Sequence, residues 1–297
     1  MTATCPPDLE REILRTLRIK RYRSVRAPTP RPEISYNVHV VNNEPAAVVW
    51  LMDRVEHARD SYRPGEKGLV FCRSHETTEK LASLLGCASF HRDERTNSQI
   101  RDIYDEFVGD DAQKIIVATS LLGAGVDIAH VRNVWHFGTP WSMIDYVQET
   151  GRGGRDGEPA FSHVVTWKAD LDRISPEPNY TEDVLRQWLV QQSGCRRTPI
   201  AQILDRKPTS CILLRDSHLC DLCQRALAEP RPQPGVGLFR DPRLTDPARV
   251  PAPPQSPAPL QSPAPTQLPA RPKPSARPKL PQTSSSFELL PTRPTDP

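Results

Sequence analysis

Apolar residues in this chain come in short uninterrupted blocks, separated by polar stretches with helical spacing. Lys67-Gly68-Leu69-Val70-Phe71-Cys72-Arg73-Ser74 reads as a strand followed by a turn. Ala88-Ser89-Phe90-His91 is a short strand, and Lys114-Ile115-Ile116-Val117-Ala118-Thr119-Ser120 is an apolar strand ending in small hydroxyl residues. Asn133-Val134-Trp135-His136-Phe137-Gly138 reads as another, broken by Thr139-Pro140. Runs of this length suit a parallel strand covered on both faces. Between them, residues 76–85 put Leu81, Leu84 and Leu85 on one side of a helix, and residues 97–107 form a second amphipathic helix. The reading is strand–helix–strand–helix–strand–helix–strand. That alternation predicts an α/β fold, a parallel sheet with helices on both faces. Near the start, Leu9, Ile13, Leu14 and Leu17 have helical spacing and predict a further amphipathic helix.

The chemistry concentrates in Gln148-Glu149-Thr150-Gly151-Arg152-Gly153-Gly154-Arg155-Asp156-Gly157. A guanidinium is permanently charged and forks onto phosphate oxygens. Two arginines among glycines suit stabilisation of a transferring γ-phosphoryl group. Leu121-Leu122-Gly123-Ala124-Gly125-Val126-Asp127 follows a strand. Ligand loops of open α/β sheets occupy the carboxyl ends of strands. Gly123, Gly125 and Asp127 are therefore placed to face a nucleotide.

Together these segments resemble the second motor lobe of superfamily-two helicases, in its RecQ form. Phe71-Cys72-Arg73-Ser74 resembles helicase motif IV, and Phe90-His91 the short strand and histidine after it. Ala118-Thr119-Ser120 through Asp127 resembles motif V, and Gln148 to Gly157 resembles motif VI. Thr2-Ala3-Thr4 is similar to motif III, and Arg31-Pro32-Glu33-Ile34-Ser35-Tyr36 to the linker into the second lobe. The resemblance implies a RecA-like sheet and a 3′-to-5′ ATP-dependent DNA helicase. It gives Arg155 the γ-phosphate contact, with Arg152 beside it and Gln148 coupling nucleotide to the lobe contact. Gly125 and Asp127 would bridge nucleotide and DNA. Arg73, Ser74, Thr119 and Ser120 would reach DNA phosphates. Trp135 and Trp141 read as core and surface packing.

Such a motor also needs a P-loop lysine and an acidic magnesium motif. The 297 residues contain neither a Gly-x-x-x-x-Gly-Lys-Ser/Thr nor an Asp-Glu-x-His. ATP with Mg²⁺ is thus expected to engage only with a first lobe present, and the chain alone is expected not to turn ATP over. The alternatives are a non-catalytic nucleic-acid-binding module and an inactive fragment of a helicase gene.

Four of the seven cysteines, Cys195, Cys211, Cys220 and Cys223, cluster late in the chain. Structural zinc takes four tetrahedral thiolates. The RecQ resemblance implies a small helical zinc subdomain here, opening on Cys195-Arg196-Arg197 and closing on Cys220-Asp221-Leu222-Cys223. Cys211 lies further from Cys220 than the family's pattern has it, and His218 competes with it as a ligand. Cys72 and Cys87 read as packing residues.

Composition adds two points. The net charge of +3 gives no bulk signature of nucleic-acid binding, yet residues 9–26 carry seven basic side chains: Arg11, Arg15, Arg18, Lys20, Arg21, Arg23 and Arg26. From Pro230 onward lie 20 of the 33 prolines, without hydrophobic periodicity. That segment is expected to be a disordered, polyproline II-like tail whose P-x-x-P elements could dock a Pro-rich-motif-binding protein. The expected layout is 1–30 first-lobe remnant and linker, 31–170 second lobe, 171–228 helical zinc-binding subdomain and 229–297 tail. Single-stranded or 3′-tailed DNA is the expected partner. No run of apolar residues is long enough to span a membrane. The absence of a signal peptide leads us to expect an intracellular protein, and the resemblance a nuclear one.

Overall fold

The computed structural model describes residues 5–26, 28–93, 95–123, 127–173 and 180–229. The Thr2-Ala3-Thr4 segment, Gly125 and the Pro-rich tail lie outside the described residues. The chain forms α1 (Pro7–Thr16), β1 (Ile34–Val41), α2 (Glu44–Ser61), β2 (Lys67–Cys72), α3 (His75–Leu85), β3 (Ala88–Phe90), α4 (Asn97–Gly109) and β4 (Ile115–Ala118). After a 3₁₀ turn (Ser120–Gly123) come β5 (Val131–Phe137), α5 (Met143–Thr150), β6 (Ala160–Trp167), α6 (Lys168–Leu171), α7 (Tyr180–Val190), α8 (Arg197–Asp205) and α9 (Asp221–Ala228).

The six strands make one sheet in the order β1-β6-β5-β2-β4-β3, every pair parallel. All of β2 and β4 is buried, as the apolar runs Leu69–Cys72 and Ile115–Ala118 require. Val70 and Cys72 of β2 face α2 and α3, while Leu69 and Phe71 face α4. Helices therefore cover both faces. Local sequence sets their ends. Asn43 caps α2, Thr96 and Gln99 form a capping box on α4, and Gly86 ends α3 in the left-handed region at φ +60°. Gly68 is needed for a different reason. A Cβ there would sit 2.7 Å from Ile115, Trp135 and Tyr62, so the strand could not keep its place between its neighbours.

The sequence reading does not anticipate β1, α2, α5 or β6. The connection from β4 to β5 carries a 3₁₀ turn among the described residues where the alternation predicted a helix.

Helix α1 forms as its spacing predicts but buries none of its residues, leaving Leu9 and Ile13 exposed. Polar contacts tie this segment to α8 instead. Arg206 pairs with Asp8, and both the Thr29 backbone N–H and its hydroxyl donate to Asp205, at 3.0 and 2.7 Å.

Across β1, β6 and β5 runs a ladder of aromatic rings. His39 stacks on His163 with centroids 5.7 Å apart, and Trp50 and Trp135 flank them. His39 Nε2 and His163 Nδ1 are buried with no hydrogen-bond partner among the described residues. Burial pulls the His39 pKa down from 6.5 to about 4; Asp221 opposes this, and Arg54 and Arg196 add to it. Burial, His39 and Arg54 pull His163 down to about 3. Both folded values lie below the unfolded value. The fold is therefore fully stabilised by these neutral rings above pH ~6.5 and loses that contribution as pH falls toward the folded values. Together the two rings are expected to lower the unfolding free energy by about 3–4 kcal/mol between pH 7 and pH 5. In His163→Phe, chemical denaturation at the two pH values should give a visibly smaller difference.

Candidate nucleotide and nucleic-acid site

The glycine–arginine loop leaves the end of α5 and returns to the sheet at Ala160 of β6. Glu149, at its entry, is buried and bonds His136 Nε2 on β5 at 3.0 Å, fixing the last turn of α5 to the sheet. Arg31 then clamps the loop backbone. Its two terminal nitrogens donate to the carbonyls of Gly151 at 2.9 Å and Gly153 at 2.7 Å, and Glu33 holds the guanidinium from the other side. Downstream, Arg132 forks onto Asp156, and His130 Nδ1 lies 2.7 Å from the same carboxylate. The Arg132 guanidinium holds the Asp156 carboxyl well below the usual carboxylate range. Gly154, at φ +62°, bonds Val131 O, and a Cβ on it would meet Glu158 O at 2.8 Å. The loop has one backbone course, pinned from both sides. Arg31→Ala is expected to lower stability by about 2 kcal/mol, since it removes two charge-assisted bonds to backbone carbonyls. Urea denaturation measures it.

The two candidate arginines differ in setting. Arg152 is buried, and its pKa is pulled down by burial and by the neighbouring Arg155 charge. The Arg155 side chain is about a third exposed and pairs with Asp127, whose own side chain is 86% exposed. An ion pair that wet is worth little. It aims Arg155 without committing it. Gln148 is exposed on α5. Of the nucleotide-facing candidates, Asp127 thus meets Arg155, while Gly125 lies outside the described residues.

The other candidates line the carboxyl ends of adjacent strands. Arg73 and Ser74 follow β2, and Thr119 and Ser120 follow β4, its neighbour. The Ser74 hydroxyl caps α3, accepting from Thr77 N at 3.1 Å and donating to Thr77 Oγ1 at 2.7 Å. Thr119 is buried and its N–H bonds Phe90 O, whereas Ser120 is exposed. The Arg73 guanidinium lies 3.9 Å from the ring centroid of Trp141, which follows β5 on the other side of β2. Trp135 is buried in the core and Trp141 is on the surface.

The four late cysteines meet. Cys195, Cys211, Cys220 and Cys223 are all buried, with their sulfurs within 4.8 Å of one another. Tetrahedral zinc with ~2.3 Å bonds sets its sulfurs about 3.8 Å apart. Here Cys195 to Cys211 is 3.4 Å and Cys220 to Cys195 is 4.0 Å, far beyond a disulfide bond. Backbone N–H groups of Cys211 and Arg196 donate to the sulfurs of Cys195 and Cys220 at 3.2 and 3.4 Å, which favours thiolates. Contacts from the Cys211 and Cys220 thiols hold the Cys195 thiol low. The donor set fits a structural zinc ion. His218 is not one of the group: its backbone N–H bonds Pro32 O and its side chain is exposed.

Arg196 and Arg197 are invisible as anchors in the sequence; Arg196 ties this unit together and Arg197 fastens it to the sheet. Arg196 forks onto Asp221 with both bonds at 3.0 Å. Arg197, 1% exposed, donates to the carbonyls of Arg31 at 2.7 Å and Ile34 at 2.9 Å. The Ser35 hydroxyl donates to Leu219 O at 2.7 Å. The cysteine unit thereby covers the open edge of β1, and through Arg31 it touches the residue that clamps the arginine loop.

Residues 50–157 match the helicase conserved C-terminal domain. Beyond that segment the likeness extends over longer stretches of helicase chains. The chain is 26% identical over 257 residues to ATP-dependent DNA helicase Q5 of Rattus norvegicus, covering 77% of this chain and 26% of that protein. It is 28% identical over 240 residues to ATP-dependent DNA helicase RecQ of Haemophilus influenzae, covering 75% and 36%. Over most of its length the chain is similar to the RecQ-like helicases of superfamily two. It spans 26% to 36% of the length of these two relatives. Among solved structures, the second domain of the DEAD-box helicase Mss116p bound to an RNA duplex is 18% identical with a TM-score of 0.41, over 45% of this RecQ-like chain and 55% of that one. Among the described residues no helix is long and apolar enough to cross a membrane.

Proposed function

We propose that this chain acts as the second motor lobe of an ATP-dependent 3′-to-5′ DNA helicase. In this reading residues 31–170 form the lobe and residues 171–228 a zinc-stabilised subdomain that braces its edge. The observation that carries it is the arginine loop, held by Arg31 on one side and Arg132 on the other, with Arg155 presented at the surface. A rigid loop holds a cation where charge develops without reorganising during the reaction.

The roles divide by setting. Arg155 exchanges Asp127 for the γ-phosphate of a nucleotide held by a first lobe. Arg152, buried beside it, raises the positive potential of the loop and keeps Glu149 in register. Gln148 lies on the exposed side of α5, where a facing lobe would meet it. ATP with Mg²⁺, held mainly by that facing lobe, supplies the phosphoryl transfer that drives movement. Cys195, Cys211, Cys220 and Cys223 would hold a zinc ion, which would supply a structural crosslink.

Nucleic acid lies along the carboxyl ends of β2 and β4. There Arg73, the hydroxyl of Ser120 and the amino end of α3 meet phosphate oxygens. The buried Thr119 and the capping Ser74 shape the turns that carry them. Contacts of this kind are sequence-tolerant and strongly salt-dependent. A nuclear site of action follows from the DNA-helicase reading. The test of polarity is strand separation with a RecQ first lobe joined to this chain. Duplexes with a 3′ single-stranded tail should open and those with a 5′ tail should not. Equal opening of both would overturn the 3′-to-5′ assignment.

A further inference from the structure

Trp141 is 53% exposed, at the amino end of α5. Its exposure is built into the turn before it. Gly138 adopts φ +84°, and a Cβ there would stand 3.2 Å from the buried Asp170 carboxylate. That carboxylate accepts from the Thr139 backbone N–H and from the Thr166 hydroxyl, and Gly138 N bonds Val165 O at 2.8 Å. Pro140 fixes the next φ, and Ser142 caps α5 by accepting from Asp145 N at 3.1 Å. The backbone is thus held on both sides of Trp141, and the indole stands at the surface. A large aromatic ring kept in water by a rigid turn carries a standing cost, which binding would relieve.

Its neighbours point to what binds. Arg73 lies over the indole, so the ring is already half of a cation–π stack. The strands carrying Trp141, Arg73 and Ser120 are β5, β2 and β4, consecutive in the sheet. Their carboxyl ends therefore span about 10 Å, with the aromatic ring at one end and hydroxyl and helix-terminus donors toward the other. An aromatic platform beside a row of phosphate-binding groups is how proteins hold single strands.

We infer that Trp141 is a base-stacking platform, and that the Arg73–Trp141 pair takes an unpaired nucleobase whose phosphates run toward Ser120. The site reads stacking and no base edge, so it accepts any base. The inference rests on the reading of this sheet edge as a nucleic-acid interface.

The test is fluorescence anisotropy of labelled oligothymidine with the full chain, over a range of salt concentrations. Trp141→Ala should bind about ten-fold more weakly, with an unchanged salt slope, because stacking releases no counterions. Trp141→Phe should recover most of the loss. An oligonucleotide with an abasic tract should bind wild type as weakly as oligothymidine binds Trp141→Ala, and the variant should not distinguish the two. Thermal unfolding of each variant checks the fold. Wild-type affinity in Trp141→Ala, or discrimination against the abasic strand that survives in it, would overturn the stacking role. A reduced salt slope would also overturn it, since the ring would then act only by placing Arg73 on a phosphate. Absence of any salt-dependent oligonucleotide binding by wild type would remove the interface reading itself, and the platform with it.

Discussion

Arg155→Ala should lower ATP turnover by about 10³-fold or more in a protein that joins a RecQ first lobe to this chain, with nucleotide affinity changed far less. A cation that meets the γ-phosphoryl group chiefly as charge builds up acts on the rate and little on ground-state binding. Arg155 has the setting for that role, being a surface side chain aimed by Asp127 and carried on a pinned loop. Arg152→Ala should behave differently. That side chain is buried, so its loss should cost stability as well as rate. Turnover and thermal unfolding measured on both variants separate the two. Unchanged turnover in Arg155→Ala would end the finger assignment.

Cys223→Ser should reduce zinc from one ion per chain to none and lower the melting temperature by more than about 10 °C. The apolar residues around the four sulfurs explain the size of the effect. Leu185, Trp188, Leu189, Ile200, Leu204 and Leu222 share one cluster with the cysteines and with Ile34 and Tyr36 of the sheet. The helices α7, α8 and α9 are short, the longest 11 residues, and helices of that length do not hold alone. A structural zinc contributes on the order of 10 kcal/mol to folding, more than most domains have in total. A chelator should act like the substitution. Metal analysis and differential scanning calorimetry read both. Zinc well below one per chain in protein purified without chelator would remove the metal from the account.

How much of this was legible in the sequence depended on whether a signal was local. The strands β2, β4 and β5 were readable because a parallel strand buried on both faces is an apolar run. β6 was missed because Ser162 and His163 interrupt it; in the fold Ser162 is buried and bonds Tyr146 and Thr150 at 2.9 and 3.1 Å. β1 was missed for a related reason. It is the edge strand under the cysteine unit, and its Ser35, Asn37 and His39 find partners far away in sequence. α2 mixes apolar residues around its whole circumference, leaving Val49 exposed while Leu51 is buried, so no stripe announces it. The chemistry divides the same way. The arginine loop and the cysteines stand out because their residue types are unusual at that spacing, and the fold gathers all four cysteines. Arg31, Arg132, Asp170 and Arg197 hold the site in place, yet each acts on groups many residues away, and an arginine bonded to carbonyls has no local signature. Trp141 stands out in the sequence only as an aromatic suited to surface packing; its stack with Arg73 and the anchored turn beneath it suggest a platform.

The most direct test of the central claim is ATP hydrolysis by a protein that joins a RecQ first lobe to this chain, with and without single-stranded DNA. The account predicts turnover that rises steeply with the strand and is lost in Arg155→Ala. Two folded lobes with zinc in place but no strand-stimulated hydrolysis would contradict it.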